Sequence, residues 1–205
     1  MAKSSLIKDI TLNNIPLSNG LERLYIISYG MKNENLMKWI KCELNGYEKD
    51  DSLPHYRIVK NMNIIYSGIN GSFKMNSVPL PLHYIPTELR DTFFTIYINE
   101  GIKTIEGYIS KENIDLGIDL TTFAYEIYKT TSIQCYSIKN KINISHYKSV
   151  IEKVRFNLID ILLKLESNFG NIDDFDINFD SFSIEKIEKV NSDINKLFSG
   201  GEVVG

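Results

Sequence analysis

Asp174, Asp176, Asn178, Asp180 and Glu185 stand at positions 1, 3, 5, 7 and 12 of one window, the ligand spacing of an EF-hand calcium loop. Such a loop wraps a hard cation only if the backbone turns sharply at position 6, where glycine is required. Phe179 stands there, and no good helical stretch precedes the window. Phe175, Ile177 and Phe179 alternate with Asp and Asn, which is equally the pattern of a half-buried strand. No metal site is expected.

His55, His83 and His146 are the residues best suited to general-base chemistry near neutral pH, but they are scattered and have no HxH or HxxxH spacing. No motif supplies any of them with a partner carboxylate or nucleophile. Gly68-Ile69-Asn70-Gly71-Ser72 lacks the Gly-Lys-Ser/Thr ending with which a P-loop cradles phosphates. Cys42 and Cys135 lie far apart with no CxxC spacing, so neither a zinc site nor a disulfide framework follows. No catalytic residue and no cofactor is therefore expected.

The remaining chemistry-bearing stretch is Trp39-Ile40-Lys41-Cys42-Glu43-Leu44-Asn45-Gly46-Tyr47, followed by Pro54-His55-Tyr56-Arg57. Trp39 and Tyr47 suit an exposed recognition pair or, as is commoner for large aromatics, packing where a helix meets a strand. Arg57 can pair with Glu43, and a buried Arg needs such a carboxylate or a carbonyl. Arg155 can pair in the same way with Glu152, three residues before it on a helix. We read Trp39, Glu43, Asn45, Gly46, Tyr47, Tyr56, Arg57 and Arg155 as structural or interface residues.

The elements that must position them follow from periodicity. Residues 4–14 form a short helix with Leu6, Ile7 and Ile10 on one side. A second helix starts near Ser18 as N-cap, carries Leu21, Leu24, Tyr25 and Ile27 at helical spacing, and ends at Gly30. A third, capped by Asn33 with Glu34 in its first turn, runs to Leu44 and stops at Asn45-Gly46. Residues 48–52 are a polar loop, and a strand begins at Tyr56. Residues 64–67 and 71–75 pair as a hairpin across Asn70-Gly71. Pro79, Pro81 and Pro86 prevent a regular central strand after it.

Residues 92–98 and 103–109, rich in Thr, Phe, Tyr and Ile, suggest a second hairpin around Asn99-Glu100-Gly101. Residues 121–128 fit both period 2 and an i,i+4 pattern; helix is preferred. Residues 132–144 alternate as a strand. A long helix over 145–168, with Ser145 as candidate cap and Gly170 beyond its end, carries Val150, Ile151, Val154, Leu158, Ile161, Leu162 and Leu165 on one stripe and Phe156, Ile159 and Leu163 on another. An amphipathic stretch over 183–198 sets Ile187, Val190, Ile194, Leu197 and Phe198 at heptad-like positions, which makes them candidates for self-association. Residues 200–205 read as a frayed end.

The expected class is α+β: a three-helix N-terminal layer, a central mostly antiparallel sheet and a long buried helix near the C-terminus. Residues 1–170 form the domain, and 171–205 form an acidic and short helical extension. With 23 basic and 26 acidic side chains well mixed, the net charge of -3 supplies no field that would attract a phosphate backbone, so nucleic acid is not indicated. No signal-like run opens the chain, and no apolar stretch approaches membrane-spanning length. A cytoplasmic protein without membrane contact is the default.

The run Trp39 to Tyr47, then Pro54-His55-Tyr56-Arg57, then Val154-Arg155-Phe156-Asn157-Leu158-Ile159-Asp160 onward to Glu166, resembles the AbiTii domain, named for a lactococcal abortive-infection system. The resemblance spans about residues 6–166, except for 79–131. It implies a role in bacterial phage defence and no particular reaction. On that footing the expected function is a non-enzymatic module that binds itself or a phage or host protein. The alternatives are a growth-arresting effector enzyme, such as a nuclease using His55 beside Tyr56-Arg57, or a sensor of a small nucleotide signal, which would need a pocket.

Overall fold

The computed structural model describes residues 4–111, 114–173 and 177–199. In chain order the elements are α1 (Ser5–Thr11), α2 (Leu17–Gly30), α3 (Glu34–Asn45), β1 (Ile58–Lys60), β2 (Ile64–Asn70), β3 (Phe73–Pro79), α4 (Arg90–Phe94), β4 (Thr95–Tyr97), α5 (Ile102–Ile109), β5 (Gly117–Asp119), α6 (Ala124–Thr131), β6 (Gln134–Lys141), α7 (Ile144–Phe169) and α8 (Ile184–Ser199). The fold is mixed helix and antiparallel sheet, with helices at the N-terminus and a long helix toward the C-terminus. By its contacts the chain divides into two units. One gathers Met1–Arg57, Asn99–Ser110 and Lys148–Gly205; the other gathers Ile58–Ile98 and Lys111–Tyr147. The described part of the segment read as a C-terminal extension thus groups with the first unit.

The first unit is helical. Leu6 and Ile10 of α1, Leu21 and Leu24 of α2, Leu36 and Ile40 of α3, and Ile102 and Ile105 of α5 are buried with Val154, Leu158, Ile161 and Leu165 of α7. These are the stripes that the 3.6-residue period marks out, so burial of apolar area holds the helices together. The caps are partly local and partly remote. Asn33 Oδ1 accepts from the Leu36 N–H at 3.0 Å, a local N-cap for α3. At the start of α2 Ser18 is not the cap. Instead the carboxylate of Glu106, from α5, accepts from the Leu17 N–H at 2.7 Å and the Ser18 hydroxyl at 2.8 Å, placing negative charge at the positive end of the helix.

At the start of α7, Asn143 Oδ1 accepts from the Ser145 N–H at 2.9 Å, so the cap lies two residues before the expected Ser145. Gly170, at φ +90°, ends α7 in the left-handed region that a residue without Cβ enters most readily. The second apolar stripe on α7 is not fully covered, because Phe156 is 62% exposed.

In the second unit a four-stranded antiparallel sheet runs in the order β3-β2-β6-β5, and β1 pairs antiparallel with β4. The expected hairpin is present: Asn70 pairs with Phe73 across Gly71-Ser72, and Gly71 takes φ +60°. Ile64 and Tyr66 of β2 and Ile138 of β6 pack with Phe93, Leu120, Ile127 and Ile133 in one core. Asn140, buried in β6, donates to the Phe93 carbonyl at 2.6 Å and the Asn61 carbonyl at 3.1 Å, so a polar residue closes this core without an unmet group.

The hairpin expected over 92–98 and 103–109 does not form. Residues 90–94 are helical, β4 pairs with β1, and Ile102–Ile109 is the helix α5. Ile102 and Ile105 are buried three apart, so the helical period was present beneath a β-branched composition. Strand propensity is weak and yields to packing of this kind. The strand expected from Tyr56 begins later, at Ile58, after a tight turn over His55–Arg57.

Candidate functional site

Helix α3 places Trp39 and Glu43 four residues apart on one buried face, and Gly46 ends it at φ 100°, ψ 170°. That conformation suits glycine alone, and a Cβ there would lie 2.7 Å from the Asn99 carbonyl. The released chain docks at once. Gly46 bridges to Glu100, and the Tyr47 N–H donates to the Asn99 carbonyl at 2.8 Å. The tight turn at His55–Arg57 then brings Tyr56 and Arg57 back over the end of the helix.

Glu43 is the hub of what results. Its Oε1 accepts from the Tyr47 hydroxyl at 2.6 Å, the Tyr56 hydroxyl at 2.7 Å and Arg57 Nε at 3.3 Å, while Oε2 accepts from Arg57 Nη2 at 2.5 Å. Arg57 Nη1 donates onward to the Glu100 carbonyl at 2.8 Å, and the guanidinium lies 4.9 Å from the centre of the Tyr47 ring. Trp39 Nε1 donates to the Tyr56 hydroxyl at 3.1 Å. Both side chains of the Glu43–Arg57 pair are 0% exposed. Burial acts to lower the Arg57 pKa, but the Glu43 carboxylate beside it outweighs that and holds it above its usual range.

Burial, and then the Glu43 charge, pushes the phenols of Tyr47 and Tyr56 well above the ordinary tyrosine range. The unfolded chain gives up these two protons near pH 10, whereas the folded chain keeps them. Their contribution to stability is therefore complete below about pH 10 and declines as pH rises past it. In an alkaline titration followed by tyrosinate absorbance, Tyr47 and Tyr56, among the twelve tyrosines, are expected to ionise only as the chain unfolds. If all twelve titrate together in the folded chain, the buried cluster is misdescribed.

This cluster can anchor structure but cannot easily run acid–base chemistry, since the carboxylate oxygens are already taken by fixed donors. The structure brings together Trp39, Glu43, Gly46, Tyr47, Tyr56 and Arg57. Asn45 is exposed at the last turn of α3. Arg155 is half-buried, and among the described residues it forms no ion pair with Glu152 or any other acid. Of the apolar residues on α8, Val190 and Ile194 are 5% and 0% exposed within this chain, Ile187 is half-buried, and Phe198 stacks on Trp39 with ring centres 5.3 Å apart and planes 16° off parallel.

His55 and His83 are exposed, and His146 is half-buried. In the window with EF-hand-like spacing, Asp174, Phe175 and Asp176 lie outside the described residues, as do residues 200–205. Phe179 is buried against Phe169, and among the described residues no cluster of His, Cys, Asp or Glu is arranged to hold a metal ion.

Next to the polar cluster lies a cavity of ≈ 700 Å³ whose walls include Trp39, Tyr56, Leu197, Phe198, Lys153 and Asn157. Cys42 and Asp51 also line it; burial, then the charge of Asp51, raises the Cys42 thiol pKa. Sequence reasoning passed over Asn157. Its signal was present: it is a polar residue three after Val154 and four before Ile161, on the face that the rest of the stripe buries. Glu106 and the Glu100 carbonyl were missed too, because each acts on a segment distant in the chain.

The family model described as AbiTii matches residues 4–191. No curated protein and no solved structure matches the chain.

Proposed function

The chain belongs to the AbiTii family, and from that premise we propose that it is a non-enzymatic module of bacterial phage defence, working by binding another copy of itself or a phage or host protein. The family points to abortive infection as the setting. The observation that supports a binding module over an enzyme is the closure of the polar cluster. The Glu43 carboxylate faces Arg57 at 2.5 Å and takes both tyrosine hydroxyls, so the most conspicuous ionisable groups are engaged with one another. No helix among the described residues is long and apolar enough to cross a membrane. We place the protein in the cytoplasm, where an infecting phage replicates.

The reading is tested by efficiency of plating on cells expressing the chain. Restriction is expected to persist when His83 and His146 are replaced by Gln, singly and together, with folding checked by circular dichroism. A folded variant that no longer restricts phage would favour an effector enzyme that uses an imidazole base. His55 is left intact in this test because it lines the cavity. Light scattering on the purified chain is expected to give the mass of two or more copies. A strict monomer would overturn the self-association part.

A further inference from the structure

Asn157 is 3% exposed, and its side-chain Nδ2 has no hydrogen-bond partner among the described residues. A buried amide left in that condition is costly, and native proteins keep few of them. The cavity that Asn157 lines has a composition that answers to this unmet donor. Trp39, Tyr56 and Phe198 supply aromatic walls, and the indole of Trp39 is fixed by its bond to the Tyr56 hydroxyl, which is itself held by Glu43. A planar ring entering here would meet walls already held in place, with Trp39 and Phe198 stacked on each other, so little ordering entropy would be lost on binding.

The charge on the walls adds a second requirement. Lys38 is paired with Asp51 at 3.5 Å, whereas Lys153 has no ion-pair partner among the described residues. Among the described residues the ammonium of Lys153 is therefore left unneutralised at the cavity, which favours an anionic group on the ligand. Its volume of ≈ 700 Å³ falls within the range of small-molecule sites.

We infer that this cavity is a binding site for a flat heteroaromatic ligand that carries a ring or carbonyl acceptor for Asn157 and an anionic substituent for Lys153, the chemistry of a nucleoside monophosphate. The inference goes beyond the proposed binding role by giving the module a small-molecule trigger. It is tested on purified chain without phage, so the two can fail separately.

Trp39 is the single tryptophan of the chain and stands in the cavity wall, so its fluorescence reports occupancy directly. Titration with adenosine 5′-monophosphate is expected to quench it saturably, adenosine to do so more weakly, and ribose 5-phosphate to leave it unchanged. Asn157→Leu removes the unmet donor at similar volume. It is expected to weaken the nucleotide at least about tenfold, the scale of one hydrogen bond, without lowering the melting temperature of the unliganded chain. Lys153→Ala is expected to weaken the nucleotide and leave adenosine unaffected. Absence of saturable quenching by both nucleotide and nucleoside would overturn the inference. So would equal binding of ribose 5-phosphate, or full affinity in a folded Asn157→Leu chain.

Discussion

Glu43→Leu is expected to lower the unfolding free energy by about 3–5 kcal/mol, the largest effect of any single substitution considered for this chain. The reason is what remains. Arg57 keeps its charge with no exposure to water, and the hydroxyls of Tyr47 and Tyr56 lose their shared acceptor. A loss of that size is a large part of the stability of an ordinary domain. Arg57→Met alone is expected to be of similar severity, since it strands the carboxylate and leaves the Glu100 carbonyl without one of its donors. Removing both charges in Glu43→Leu/Arg57→Met eliminates the stranded ion, so the double variant is expected to be clearly more stable than the sum of the singles implies. Denaturant unfolding of the four chains measures this coupling. Additive losses would mean that the two side chains do not act as a buried pair.

Gly101→Ala is the second large effect, and its cause is steric rather than electrostatic. Gly101 precedes α5 with φ -67°, an ordinary value, so no backbone strain is involved. A Cβ at this position would lie 2.2 Å from the Leu44 carbonyl oxygen and 2.9 Å from the carbonyl carbon of Asn45. Those atoms belong to the end of α3 and cannot rotate away as a side chain would. The expected loss is about 1–3 kcal/mol, the range for overfilling a packed site, read as a fall in melting temperature. Gly107→Ala provides the contrast within the same helix. An added Cβ there meets nothing within 4 Å, and relief of glycine's entropy in a helix is expected to stabilise by about 0.5–1 kcal/mol. Equal changes at the two positions would show that backbone approach at Gly101 has been misjudged.

Two glycines, Gly46 and Gly101, show where the sequence was legible. Gly46 reads directly as a helix stop, because a periodic apolar stripe, an Asn N-cap and a following Asn-Gly all agree on the bounds of α3. Such agreement between local signals also made α2, α7 and the β2–β3 hairpin readable. Gly101 was read as a hairpin turn because Thr, Ile and Tyr on either side favour strands. Its actual use, as the point where α5 abuts the end of α3, depends on a contact between segments more than fifty residues apart, and no local pattern encodes that. Glu106 was hidden for the same reason. Its role as the cap of α2 is set by packing of α5, not by spacing.

The polar cluster was legible in part. Glu43 and Arg57 were paired on the grounds that a buried guanidinium needs a carboxylate, and the structure adds that both tyrosines converge on that carboxylate. Arg155 was given the same reading on i,i+3 spacing alone. Spacing on an exposed helical face is a weak constraint, and the pair with Glu152 does not form among the described residues. Asn157 carried a visible signal, a polar residue on a buried stripe, but the cavity that gives it meaning arises from α3, α7 and α8 together.

In the proposed module Glu43 and Arg57 are architecture and not chemistry. The direct measurement is phage restriction by Glu43→Gln/Arg57→Met, a pair that removes both charges while the glutamine carbonyl still accepts from Tyr47 and Tyr56. With folding verified, efficiency of plating is expected to equal that of the unaltered chain, as it must if the pair is structural. A folded double variant that no longer restricts phage would contradict it.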